Sequence, residues 1–501
     1  MSNWITALDG NTLPDRALIG GKAWSIARMI ALGLPVPPAF VVTTRACNAY
    51  LANGTMPDGL EAELHAAMQG LEAATGRTFG RGDRPLLVSV RSGAPISMPG
   101  MMDTVLNLGI STETGEALGR ECVDPAFAAD VHHRFRELYA SVVVNADHGV
   151  TDPAVHLIEA VKAVFESWNS RRARRYRSHH GIPDDLGTAV TIQAMVFGNL
   201  DAASGTGVLF SRNPLSGERL PYGEFLARAQ GEDVVSGKFT PEGLDAMHRL
   251  VPDAHDALLA ASDILERENA EMQDIEFTVQ SGKLFLLQSR TGKRAPPAAV
   301  RIAVDMCEEG LIDRATALGR VTAEQAHLLL APRLAEGAAE AATLLASGEA
   351  ACPGVGVGVI VTDSDEAESR AQAGEQVVLA RPTTSPEDVH GMLCAKAVIT
   401  ETGGSTSHAA VVSRALGKPC IVGCGGGALD ALKGRTVTVD GSSGRIFDGA
   451  LAVVAPDERA DPWLAKLADW AREQVAEDRR NDSLPGLLSA IHGIEVDQES
   501  L

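Results

Sequence analysis

The sequence predicts a mixed α/β (α+β) protein built from more than one domain. Up to about Thr291, short β-type runs such as "LLVSVRSG" and "AVTIQAMVFG" are interleaved with amphipathic helical stretches such as "AWSIARMIALG". From "CPGVGVGVIVT" onward, short apolar strands are punctuated by glycines. The length, 501 residues with 45% hydrophobic and 22% charged, also suffices for two or more cores.

Taken in order, the hairpin "IEFTVQSGKLFLLQSR" closes a first domain, and Pro296 and Pro297 mark its boundary, so that it spans residues 1–295. Apolar positions at helical spacing from Val300 to about Ala346 predict a helical linker over 296–346. The runs "VGVIVT", "QVVLA", "AVIT", "CIVG", "TVTVD" and "GRIFDG" predict a compact second domain over 347–454. The tail, 455–501, carries one amphipathic helix and then frays.

Composition excludes several function classes. A formal charge of −21 repels phosphates and argues against nucleic-acid binding. No apolar run reaches the length of a membrane span, and "MSNWITALDGNTLPDR" lacks the basic start and apolar core of an export signal, which predicts a cytoplasmic protein. Seven cysteines with no CxxC pair predict reduced thiols rather than a disulfide or zinc framework. The dense basic run "SRRARRYRSHH", Ser170 to His180, reads either as a solvated helix face or as a binder of anionic ligands.

The stretch "ITETGGSTSHAAVVSRALGKPCIVG" poses the chemical question. "AVIT" reads as a strand, Gly403 and Gly404 allow a tight turn, and Ser405 or Thr406 can cap a helix that ends at Gly417. His408 then sits in the first turn, where the helix dipole disfavours the protonated ring and leaves a lone pair free to attack. Backbone N–H groups there can steady a phosphoryl group. A lone histidine is ordinarily a surface or core residue, so the neighbours decide.

Upstream, "IGGKAW" sets Gly20, Gly21 and Lys22 just before a helix, where small residues let backbone approach phosphate and an ammonium neutralises it. In "LLVSVRSGAPISMPGMMDTVLNLG", Arg91 leaves a strand into a Ser/Gly/Pro/Met loop, read as a pliable lid over a polyphosphate with Arg91 as a planar clamp. In "MQDIEFTVQSGKLFLLQSR", a three-residue loop at 280–282 would set Asp274 opposite Gln288 and Glu276 opposite Leu286. Glu276 and Gln288 would then share a face as oxygen ligands for magnesium, with Arg290 on that face by parity.

"GGSTSHAAVVSRALGKPCIVG" closely resembles the phosphohistidine signature of the enzymes that use phosphoenolpyruvate, and its TSHAAVV form is most similar to the pyruvate phosphate dikinase family. The three upstream stretches, "AVTIQAMVFGNLDAASGTGVLFSRNPLSGE" and "YGEFLARAQGEDVVSGKFTP" resemble the ATP-grasp nucleotide-binding part of that family. The resemblance implies an ATP-grasp domain at 1–295 and a swivelling phosphohistidine domain at 347–454, with ATP and Mg2+ as cofactors. It assigns Lys22 and Arg91 to phosphates, Glu276 and Gln288 to metal and nucleotide, Arg290 to their support, His408 to phosphorylation and Thr406 to regulatory phosphorylation. The family reaction it implies starts with attack on the β-phosphorus of ATP, giving AMP. The terminal phosphoryl group then passes to inorganic phosphate, and the remaining one to pyruvate.

Family members continue into an α/β barrel that binds pyruvate and phosphoenolpyruvate, and such a barrel needs about 250 residues. None is legible after residue 454, so the expectation is a separate pyruvate-binding polypeptide or another acceptor. Two alternatives stand beside this reading: a histidine-relay kinase of a different small molecule or protein, and a non-catalytic ATP-binding phosphocarrier or regulatory module.

Overall fold

Continuous apolar runs, rather than alternating ones, mark strands covered on both faces, and "AFVV" is such a run, while "AVTIQA" interposes Thr191 and Gln193. In the computed structural model, which describes residues 4–96, 98, 100–143, 152–235, 240–330, 333–416, 418–454 and 456–493, the strands Ala39–Val42 and Ala189–Ala194 are buried at every position. The chain divides into two compact units. The first comprises Met1–Thr206, Ala227–Gln230 and Glu276–Arg290; the second comprises Gly207–Leu226, Gly231–Ile275 and Thr291–Leu501. The architecture is mixed α/β, as the sequence predicts.

The sheet of the first unit runs in the order Ile5–Ala7, Ala39–Val42, Ala189–Ala194, Val88–Gly93, Thr104–Leu108. Every pairing in it is antiparallel, and Arg91 lies opposite Thr191 on one side and Thr104 on the other. Helices including Leu60–Thr75, Pro125–Val142 and Pro153–Ser167 bury Leu64, Phe135, Val161 and Phe165 in one core with Phe40 and Val90. The basic run forms the helix Arg171–His180, capped by Ser170. Most of its cations point outward, but Arg177 is buried, stacked 4.1 Å over Trp168 and paired with Asp184.

The strands Gln273–Gln280 and Lys283–Thr291 form the expected hairpin, within a second five-stranded sheet. Its connection is two residues, Ser281 at φ 49° and Gly282 at φ 78°, not three. Two successive left-handed residues make the tight turn that matches strand twist. The turn is thus one residue shorter than the loop expected at 280–282.

In the second unit an eight-stranded sheet runs Leu344–Ser347, Arg445–Asp448, Thr436–Asp440, Val355–Val361, Val377–Arg381, Ala397–Thr400, Cys420–Val422, Glu349–Cys352. Its four inner strands from Val355 to Val422 pair in parallel, joined by helices that include Ser364–Gln372 and His408–Leu416. Parallel neighbours require such crossovers, and the crossovers bury the glycine-punctuated runs on both faces.

The helical stretch after Pro296 is shorter than predicted. It consists of Pro296–Glu308, Arg314–Gly319 and Ala323–Leu330, while Leu344–Ser347 and Glu349–Cys352 within the Ala/Glu-rich tract are strands. Ladder pairing with Arg445–Asp448 and Cys420–Val422 overrides the helical propensity of alanine and glutamate there. The tail adds two helices rather than one, Pro462–Gln474 and Leu484–Ile491. Their Leu467, Trp470, Leu487 and Leu488 close an apolar cluster with Val304 and Leu318, which is what orders the second helix.

All seven cysteines are free thiols. Among the described residues no helix is long and apolar enough to cross a membrane.

Arg212 is fully buried in the second unit between two carboxylates, 2.8 Å from Glu266 and 2.7 Å from Glu309. Removing the cation leaves the buried Glu266 carboxylate without its ionic partner, whereas Glu309 is exposed and keeps Arg219 at 3.3 Å. We expect Arg212→Met to cost about 3–5 kcal/mol, read as a lowered urea midpoint; an unchanged midpoint would show the pair to be dispensable.

Candidate active site

His408 opens the helix His408–Leu416, which follows the strand Ala397–Thr400. Gly403, at φ 108°, makes the turn between them. Ser407 sits at the cap position, its carbonyl accepting from Val411 N–H at 3.0 Å. Ser405 and Thr406, expected as caps, do something else: both hydroxyls donate to the buried carboxylate of Glu224, Ser405 at 2.8 Å. Tyr222 donates its hydroxyl to Ser405 at 2.7 Å, and Arg414, from the last turn of the same helix, donates to the Ser405 carbonyl at 2.8 Å. At Gly404 a Cβ would lie 2.8 Å from the Glu224 carboxylate, so a larger residue there has to shift that carboxylate. The expected helix end at Gly417 lies outside the described residues.

The ring of His408 is half-buried. Nδ1 shares a hydrogen bond with the Thr384 hydroxyl at 3.1 Å, while Nε2 is buried without a hydrogen-bond partner among the described residues. Burial pushes the imidazole below its ordinary value, with Asp388 pulling weakly the other way. In the tautomer whose Nδ1–H donates to Thr384, the lone pair of the neutral ring lies on Nε2.

In the first unit the structure brings together Lys22, Arg91, Glu276 and Arg290. Arg91 Nη2 donates to Glu276 Oε2 at 3.2 Å, and Arg290 Nη2 lies 3.8 Å from Oε1. Burial alone would raise the Glu276 carboxyl, but Arg290, Arg91 and Lys22 outweigh it and hold the group below the usual carboxylate range. Lys22 is pushed well below its ordinary value, first by burial and then by the charge of Arg91, against the pull of Glu276. Three cations around one carboxylate form an anion-attracting corner. Gln288 lies in the strand Lys283–Thr291, half-buried, with no hydrogen bond to this group.

The glycines before Lys22 serve the loop after Arg91. Gly20 breaks the helix Arg16–Ala31 at φ 75°, and a Cβ on it would fall 1.7 Å from the Gly93 carbonyl oxygen. Gly21 N–H donates to Ala94 O at 3.0 Å, so this donor is spent on the protein rather than left for a phosphate. The loop itself departs from the expected lid. Met98 and Met101 are buried against Trp168 and Ala173, where flexible thioethers fill an irregular gap. Arg172 fastens its end by donating to the Met101 carbonyl and to Asp103. Ser97 and Pro99 of the same loop lie outside the described residues.

Sequence reasoning missed Thr384, Tyr222, Glu224 and Ser407. Glu224 stands in the quoted "YGEFLARAQGEDVV", but nothing local links it to a loop 181 residues away. Thr384, in "PTTSPED", carries no signal beyond a turn.

Two outcomes follow. Gly20→Ala adds strain and a clash, and we expect a loss of roughly 2–4 kcal/mol in urea unfolding together with weakened nucleotide binding; wild-type behaviour would discount the Gly20–Gly93 contact. A polyphosphate anion seated beside Lys22 favours its charged form, so binding should take up protons between the lowered value and the ordinary one near 10.5. Calorimetric titration of ATP in buffers of different ionisation enthalpy measures this, and proton release would contradict it.

Two family models match the chain. "Pyruvate phosphate dikinase, AMP/ATP-binding domain" covers residues 16–56 and 51–252, and "PEP-utilising enzyme, mobile domain" covers 373–444, which includes His408. Similar curated proteins include pyruvate, phosphate dikinase of Rhizobium meliloti (strain 1021), 41% identical over 94% of this chain and 60% of the relative. That of Clostridium symbiosum is 37% identical over 99% of this chain and 64% of the relative. The chloroplastic pyruvate, phosphate dikinase 1 of Zea mays is 42% identical over 96% and 57%. The chain thus spans about 60% of the length of these relatives. With both domain types matched in order around the geometry described, the chain belongs to the pyruvate phosphate dikinase family.

Proposed function

We propose that this chain is a dikinase-type phosphotransferase that moves a phosphoryl group from ATP onto His408. The observation that carries the reading is the ring itself: neutral, tethered by Thr384 at Nδ1 and unpartnered at Nε2, in the first turn of a helix. The Nε2 lone pair forms a bond to the β-phosphorus, the bond from that phosphorus to the bridging oxygen breaks, and AMP leaves with the oxygen. The Nδ1 proton passes to solvent. Inorganic phosphate then attacks the terminal phosphorus, pyrophosphate leaves, and phosphohistidine remains for pyruvate or another acceptor, which a separate pyruvate-binding polypeptide can present.

The corner of Lys22, Arg91 and Arg290 supports phosphate binding. Glu276, held ionised, and the amide of Gln288 supply the hard oxygen donors that Mg2+ prefers, the metal's part being to neutralise charge on the phosphates. We assign residues 1–295 to the ATP-grasp domain, 347–454 to the swivelling phosphohistidine domain, 296–346 to the linker and 455–501 to the tail. Thr406 is a regulatory phosphorylation site in this reading. Its hydroxyl faces Glu224, so a phosphate there has to displace that carboxylate. Free thiols at all seven cysteines are in keeping with a cytoplasmic location.

The test is incubation with ATP labelled at the β-phosphate, Mg2+ and phosphate. Wild type should acquire acid-labile, base-stable label, and His408→Asn should acquire none while binding ATP as wild type does. Unlabelled wild type at saturating ATP and metal would overturn the proposal.

A further inference from the structure

Three hydroxyls stand in a row before the nucleophile, and two of them are taken. Ser405 and Thr406 donate to Glu224. Ser407 is 5% exposed, and its Oγ has no hydrogen-bond partner among the described residues. A serine at a helix cap ordinarily accepts from a backbone N–H two or three residues on. Here the backbone of Ser407 is at the cap position, its N–H donating to Gly404 O at 3.0 Å and its carbonyl starting the helix, while the side chain is unused.

Leaving a buried hydroxyl unpaired is costly unless a ligand completes it. The neighbouring orphan is Nε2 of His408, the next residue. Beside Ser407 lies the open side of Gly403, where a Cβ would stand 3.1 Å from Ser407 Oγ. A hydroxyl, a nucleophilic nitrogen and a space kept clear by glycine thus share one loop at the positive end of a nine-residue helix.

We propose that Ser407 is a catalytic residue whose hydroxyl donates a hydrogen bond to a non-bridging oxygen of the phosphoryl group carried on His408. The inference rests on the reading of His408 as the phosphorylated residue. Ser407 keeps its proton throughout; only the Nε2–P bond forms and breaks. Its hydrogen bond strengthens as charge gathers on the transferring oxygens, so it acts on the rate of transfer more than on nucleotide affinity.

Because the side chain caps nothing, Ser407→Ala removes no hydrogen bond among the described residues, and its melting temperature should match wild type. With β-labelled ATP, Mg2+ and phosphate, Ser407→Ala should take up label on the order of 100-fold more slowly at saturating ATP, with an unchanged half-saturating ATP concentration. Ser407→Cys, which keeps the size and a weak donor, should fall between. Labelling of Ser407→Ala at the wild-type rate, or a defect confined to ATP affinity, overturns this inference and leaves His408 standing. Wild type that takes up no label overturns the reading of His408 and this inference with it.

Discussion

The hydrogen bond between Thr384 and Nδ1 of His408 is the constraint on which the reactive geometry rests. An imidazole has two nitrogens of similar basicity, and only the one left without a proton or partner can attack phosphorus. When Nδ1–H donates to Thr384, the lone pair is left on Nε2. Burial adds to this by keeping the ring neutral. The surrounding loop is braced from its own helix by Arg414 and through the side-chain hydroxyls of Ser405 and Thr406 by Tyr222 and Glu224. Such bracing lets a glycine-rich turn, flexible by itself, present one atom in one direction.

The corner around Glu276 follows a different logic. Three cations gathered about one carboxylate repel one another, and the depressed Lys22 ammonium reports that repulsion together with burial. The arrangement is poised for an incoming polyanion, which supplies the missing negative charge. Glycines at 20 and 93 let the segments bearing Lys22 and Arg91 touch directly, which brings two residues 69 positions apart to one place.

Much of this was legible in the chain. The strand, turn and helix around His408 follow from β-branched runs, a double glycine and the residues after it, all local signals. Lys22, Arg91, Glu276 and Arg290 could be named because phosphate chemistry limits the usable residue types. Other features were not legible. The methionines after Gly93 looked like a lid, because composition does not reveal that Trp168 stands behind them. The hairpin's turn is one residue shorter than expected, because "QSG" does not show whether Gln280 ends the strand or begins the loop. The tail's second helix, short by itself, is ordered by Leu467 and Leu318 across the cluster.

By itself the sequence determined the mixed α/β class and singled out the histidine and the cationic residues as candidates, since each depends on periodicity or side-chain chemistry within a few positions. Tertiary structure alone decided that Thr384 meets Nδ1 of His408, that Ser405 and Thr406 answer to Glu224, and that Ser407 answers to no group among the described residues. Those outcomes hang on hydrogen bonds between residues far apart in the chain, and a hydrogen bond forms only when folding has set donor and acceptor within about 3 Å of each other.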